Sequence, residues 1–132
     1  MDNERGSLIR LFVWRMPKKN HAGLIELGKS AKQLFENIGV RQEIFQLEGL
    51  PNLQEQHEMA EKMGFTNIAR TLSAKNDEEV WLELQFYRDK KHLDDASAKM
   101  QKNENAGEIG KQFISLISPG SCVEGWFNHL NF

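Results

Sequence analysis

The chain has one cysteine, three prolines and one tyrosine in 132 residues, and each shortage narrows what it can be. Cys122 alone can neither close an intrachain disulfide nor build a cysteine-cluster metal site. Neither sign of charge is in excess. Seventeen basic residues stand against 19 acidic ones, for a formal charge of −2, and no basic block is long enough to track a phosphate backbone. Nucleic acid is therefore not an expected partner. Apolar runs are short, Leu11 to Trp14 being typical, so no membrane association is expected. The start, Met1-Asp2-Asn3-Glu4-Arg5, lacks the basic stretch and apolar run of a signal peptide, which suggests a cytoplasmic protein. There is no Gly-rich phosphate loop, no Gly-x-Ser-x-Gly elbow and no histidine pair at helical zinc spacing. No cofactor and no metal is expected.

What the sequence does contain is enough for one domain spanning residues 1–132, a length that buries roughly two-thirds of the surface an unfolded chain exposes. Ser7 to Arg15 is apolar and beta-prone, and stops at Met16-Pro17. Leu24, Leu27, Ala31, Leu34, Phe35 and Ile38 then recur at three- and four-residue steps up to Gly39, predicting a long amphipathic helix. Val40 to Leu47 is a second strand with an irregularity between Ile44 and Phe45, ended by Gly49-Leu50-Pro51. Asn52 to Met63 is polar and helix-prone, a surface insert, and Ile68 to Leu72 could be a short strand or a crossing segment. Val80 to Tyr87 has the cleanest alternation in the chain. Asp89 should cap a helix carrying Leu93, Ala96 and Met100; another helix runs from Ala106 to Ile117, and a last strand from Cys122 to about His129.

The order β-α-β-(insert)-β-α-α-β predicts an α+β, ferredoxin-like sandwich, with strands one and three adjacent at the centre of an antiparallel sheet. Alternation sorts the strand residues into two faces. Ile9, Leu11, Val13, Val80, Leu82, Leu84 and Phe86 suit the helix-covered side. The opposite side would carry Arg10, Phe12, Trp14, Trp81, Glu83, Gln85 and Tyr87, with Glu124 and Trp126 from the last strand. A bare face of that aromatic content is an aggregation liability in a monomer, so pairing with a second copy is expected.

The stretch Met16-Pro17-Lys18-Lys19-Asn20, the Phe65 to Thr71 segment, Asp77-Glu78-Glu79-Val80-Trp81-Leu82, Tyr87-Arg88 and the Asp94 to Met100 helix resemble a family of uncharacterised bacterial proteins in the dimeric α+β-barrel superfamily. The resemblance spans most of the chain and contains no catalytic signature. It implies a barrel formed by two sheets across a two-fold axis. It also implies a ligand cleft, either between sheet and helices or inside the barrel.

Three functions follow as expectations. In the first, a homodimer binds a small planar or aromatic molecule at the sheet face, with Trp14, Trp81, Tyr87 and Trp126 as walls and Arg10, Gln85, Glu83 and Glu124 as polar contacts. In the second, the chain is a cofactor-independent monooxygenase or isomerase in which Glu83 is the catalytic base and Arg10 anchors an anionic oxygen. In the third, the same residues pack an interface and the protein is a structural or interaction module without a ligand, the insert being its distinctive surface.

Overall fold

The structure, a computed structural model, describes residues 5–132. It is an α+β fold in which five helices accompany one four-stranded antiparallel sheet. The elements in chain order are β1 (Arg5–Pro17), α1 (His21–Asn37), β2 (Arg41–Gln46), α2 (Gln54–Lys62), α3 (Ile68–Thr71), β3 (Glu78–Tyr87), α4 (Lys90–Lys102), α5 (Ala106–Leu116) and β4 (Val123–Leu130). The strands lie in the order β2-β3-β1-β4, so β1 and β3 are central, as expected. Among the described residues no helix is long and apolar enough to cross a membrane.

Helix α1 forms where the stripe predicts it and buries Leu24, Leu27, Ala31, Leu34 and Phe35. Its end is set by Gly39, whose φ of +76° is open to glycine at little cost. The Gly39 N–H then donates to Glu36 O (3.1 Å) and the Val40 N–H to Phe35 O (2.9 Å), satisfying carbonyls that the helix leaves free. Asp89 caps α4 by accepting from the His92 N–H at 2.8 Å. The His92 ring is used twice more: Nδ1 accepts from Arg88 N (3.0 Å) and Nε2 donates to Gly39 O (2.9 Å), tying α4 to the end of α1. At the other end, Asn20 Nδ2 donates to Leu116 O at 2.8 Å. Gly23 there lets α5 approach α1 closely, since a Cβ at Gly23 would lie 3.1 Å from a Leu116 methyl.

The assignment of the two sheet faces is the reverse of the sequence expectation. Helices α1, α4 and α5 cover the tryptophan-bearing side. One apolar cluster joins Trp14, Met16 and Trp81 to Leu24 of α1 and Ile117, with Phe113 and Leu116 of α5 packed against it. A second joins Tyr87 to Phe35, Ile38, Val40 and Ala96, with Leu8, Leu93 and Met100. Ile9, Leu11, Val13, Leu82, Leu84 and Phe86 therefore point away from α1, α4 and α5, to the side where Phe45 (44% exposed) and Phe127 (54%) extend the apolar surface; Val80, expected with them, shares that side but is buried. The physical reason is area. A tryptophan buries more surface than any aliphatic side chain, so helices gain most by packing on the face that holds Trp14 and Trp81.

Two smaller differences concern local structure. The β2–β3 register runs unbroken from Arg41↔Phe86 to Gln46↔Trp81, so Ile44 and Phe45 simply face opposite ways and no irregularity separates them. Residues Ile68–Thr71 form one helical turn, because Asn67 Oδ1 accepts from Ala69 N at 2.8 Å and starts it. The insert's helices α2 and α3 bury no residue of their own.

Candidate functional site

The covered face is not apolar throughout. Register places Trp126, Arg10, Gln85 and Gln42 in one row across all four strands, and Glu124, Phe12, Glu83 and Ile44 in the next. Cross-strand neighbours on one face touch, so these rows make a polar belt at mid-sheet. The Trp14–Trp81 cluster lies on one side of it and the Tyr87 cluster on the other.

Within the belt the polar groups are mostly paired. The Tyr87 hydroxyl donates to Gln85 Oε1 (2.8 Å), and Gln85 Nε2 donates to Glu83 Oε2 (2.6 Å). The Arg10 guanidinium donates through Nε to Glu124 Oε2 at 2.7 Å, and its Nη2 also meets that oxygen. The same guanidinium lies over Phe12 (4.5 Å) and Trp126 (5.1 Å), whose rings hold it in place. Burial pushes the Glu83 carboxyl above its usual 4.5, against the opposing pull of Gln85, Gln42 and the Arg10 charge. Burial likewise raises the Tyr87 hydroxyl and the Cys122 thiol; the negative charges of Glu83 and Glu124 add to the effect on the thiol.

Two N–H groups on this face have no partner. Trp14 is fully buried, and its Nε1 makes no hydrogen bond. Gln42 Nε2 lies near enough to Glu83 to favour its carboxylate, yet it too lacks a bond of normal geometry. Trp14, Gln42 and Glu83 line one cavity of about 170 Å³ between the sheet, α1 and α5, whose other walls are apolar or glycine. An outer recess of about 450 Å³ along α1 and β2 shares Leu24, Gly28, Gln42 and Ile44 with that cavity. A further pocket of about 250 Å³ lies under α4, on the far side of Phe35, and takes in Arg10, Gln85 and Tyr87.

The residues singled out from sequence thus divide. Trp14 and Glu83 line the cavity between the sheet, α1 and α5, Trp81 the outer recess, and Arg10, Gln85 and Tyr87 the pocket under α4. Glu124 is joined to Arg10, and Trp126 sits 43% exposed at the β4 edge, 5.9 Å from the Tyr87 ring. Sequence reasoning did not single out Gln42, Phe35 or Phe113. Gln42 could have been found, since it stands between Val40 and Ile44 at the inward positions of β2, where a polar side chain is out of place. Among the described residues, no group of three or more histidine, cysteine or acidic side chains gathers to hold a metal.

The chemistry open to this site centres on a carboxyl whose proton is held more tightly than usual, beside an apolar space. Such a group gives the fold stability that is complete below the unfolded pKa and is lost as pH rises through the raised folded value. Glu83→Gln should therefore differ least from the parent near pH 4 and become progressively the more stable of the two as the pH rises toward about 8, by about 1.4 kcal/mol for each unit of upward shift. Urea unfolding across that range checks this; a difference independent of pH would remove the burial account.

The sequence matches the family described as "Protein of unknown function (DUF1428)" over residues 7–114. No curated protein matches the sequence.

Proposed function

Because the chain belongs to this family of proteins of unknown function, whose description offers no activity, we propose a function from the site alone: binding of a small planar molecule in the cavity between the sheet and helices α1 and α5. The observation that carries this reading is the buried, unpartnered Nε1–H of Trp14 in the wall of an apolar cavity, with Gln42 Nε2, which has only the nearby Glu83 carboxyl and no bond of normal geometry, in the same wall. Buried donors are nearly always satisfied, and leaving one unmet costs about 1–3 kcal/mol. A fold that retains such donors in the wall of a cavity is suited to a ligand that meets them. The cavity of about 170 Å³ is close to the ~150 Å³ known to hold benzene.

Element order and sheet order fit the ferredoxin-like sandwich of the dimeric α+β-barrel superfamily, and a homodimer completes the reading. The side without helices presents an aliphatic surface that a second sheet would cover, forming the barrel. The ligand cavity then lies on the helix side of each sheet, outside the barrel. A second functional reading, a cofactor-independent monooxygenase or isomerase, is favoured by one feature: Glu83 is a carboxyl with raised proton affinity, suited to taking a proton from an acidic carbon.

Amide chemical shifts during a toluene titration test the binding reading. Saturable shifts should cluster around Gly28 and Gly110, which line the cavity. They should vanish in Ala31→Leu, which fills the same space. Shifts scattered over the surface, or unchanged by the filling variant, would reject the cavity as a binding site.

A further inference from the structure

We infer that the cavity selects an uncharged, single-ring molecule bearing a carbonyl oxygen, and discriminates against the carboxylate of the same size; this rests on the cavity being a ligand site. The groups left unmet in the wall are donors, whereas Glu83 Oε2 already accepts from Gln85 Nε2. Trp14 Nε1 can only donate, and Gln42 Nε2 has donors to spare. A carbonyl oxygen has two lone pairs and can accept from both.

Charge makes the second half of the argument. No lysine, arginine or histidine lines the cavity. The cations around it belong to other spaces: Lys29, paired with Glu26, and Lys32 line the outer recess, and Arg10 lines the pocket under α4, where it is engaged by Glu124. A carboxylate entering the cavity would lose its water without gaining a cation, and would meet Glu83. The ring itself is well provided for. Phe12, Trp14, Phe35 and Phe113 line the space, and Trp14 and Phe113 already stack edge to face at 4.9 Å and 86°.

The test compares toluene, acetophenone and benzoate as ligands of the full chain near pH 7, followed by amide shifts in the parent, Gln42→Leu and Trp14→Phe. Acetophenone should bind about tenfold more tightly than toluene, the expected return from one or two recovered hydrogen bonds, and benzoate at least about tenfold more weakly than acetophenone. Gln42→Leu should lower acetophenone affinity toward that of toluene while leaving toluene bound, which also shows the variant to be folded. Trp14→Phe should act in the same direction. Benzoate binding as well as acetophenone, or acetophenone no better than toluene, would overturn the selectivity and leave the cavity standing as an apolar ligand site. Failure of all three to reach the cavity would overturn both readings together.

Discussion

Leu84→Asp is expected to abolish pairing of the chain with a second copy while leaving the single chain folded. Leu84 lies on a central strand, directly opposite Leu11 of β1, with Glu43 of β2 on its other side. Around it on the open face are Ile9, Val13, Leu82 and Phe86, with Phe127 resting over Gly125 on the β4 side. Four strands about 4.8 Å apart make this a broad apolar plane. A stable pair needs about 800 Å² from each partner. An aspartate at the centre of that plane would be cut off from water in the pair beside a second carboxylate, Glu43, which already engages the neighbouring Arg41, at a cost of several kcal/mol. Weakening by about 3 kcal/mol, or more than about a hundredfold, is therefore the minimum expected. In the separate chain the same position is only half-buried, so the fold should lose far less. Light scattering across a concentration series checks this. Ile25→Asp, on the solvent side of α1 at 41% exposure, should leave the assembly unchanged. A parent chain that is monomeric at ~100 μM, or a Leu84→Asp chain that still pairs, would reject the open face as an interface.

Why the open face had to be found from the structure is a matter of what alternation encodes. A period of two states which residues share a side. It does not state which side receives helices, since that depends on how well each face matches the stripes of α1, α4 and α5. Here both faces offered large apolar area. Leu8, Phe12 and Met16 share the parity of Trp14 and give that face a continuous apolar length that Arg10 interrupts only once. Charge at Arg10, Glu83 and Glu124 argued for solvent or an interface when the residues were read singly. Once the register is known, these charges fall into two adjacent rows, where Arg10 pairs with Glu124 and Glu83 accepts from the Gln85 amide, so burying them costs much less than their number suggests. The order of elements, the central place of β1 and β3, the α1 stripe and the Asp89 cap were all legible, because each follows from local periodicity or capping chemistry. The cavity was not legible. It arises where residues of α5 come together with those of α1 and of the β2 and β3 rows, a meeting of segments far apart in the chain that no window of sequence contains.

Trp14 is where the stability and the proposed function of this fold meet, and two substitutions separate them. Trp14→Ala removes a fully buried indole that stacks edge to face on Phe113 and stands across from Trp81. Loss of transfer energy and the void it leaves should cost about 3–5 kcal/mol, a large share of the 5–15 kcal/mol that holds a domain of this size together. Trp14→Phe keeps a ring in place and removes the unpartnered Nε1 donor. Its cost in lost area is then offset by about 1–3 kcal/mol of desolvation that the parent no longer bears, so it should fall within about 1 kcal/mol of the parent. Denaturant unfolding of the three chains gives the comparison. If Trp14→Phe proves nearly as damaging as Trp14→Ala, the indole N–H must already be satisfied, for example by buried water, and the donor is not waiting for a ligand. If it is nearly neutral, the native tryptophan carries a polar group that contributes nothing to the empty fold. Retaining that group makes physical sense when a bound oxygen repays it, which is the reading the cavity supports.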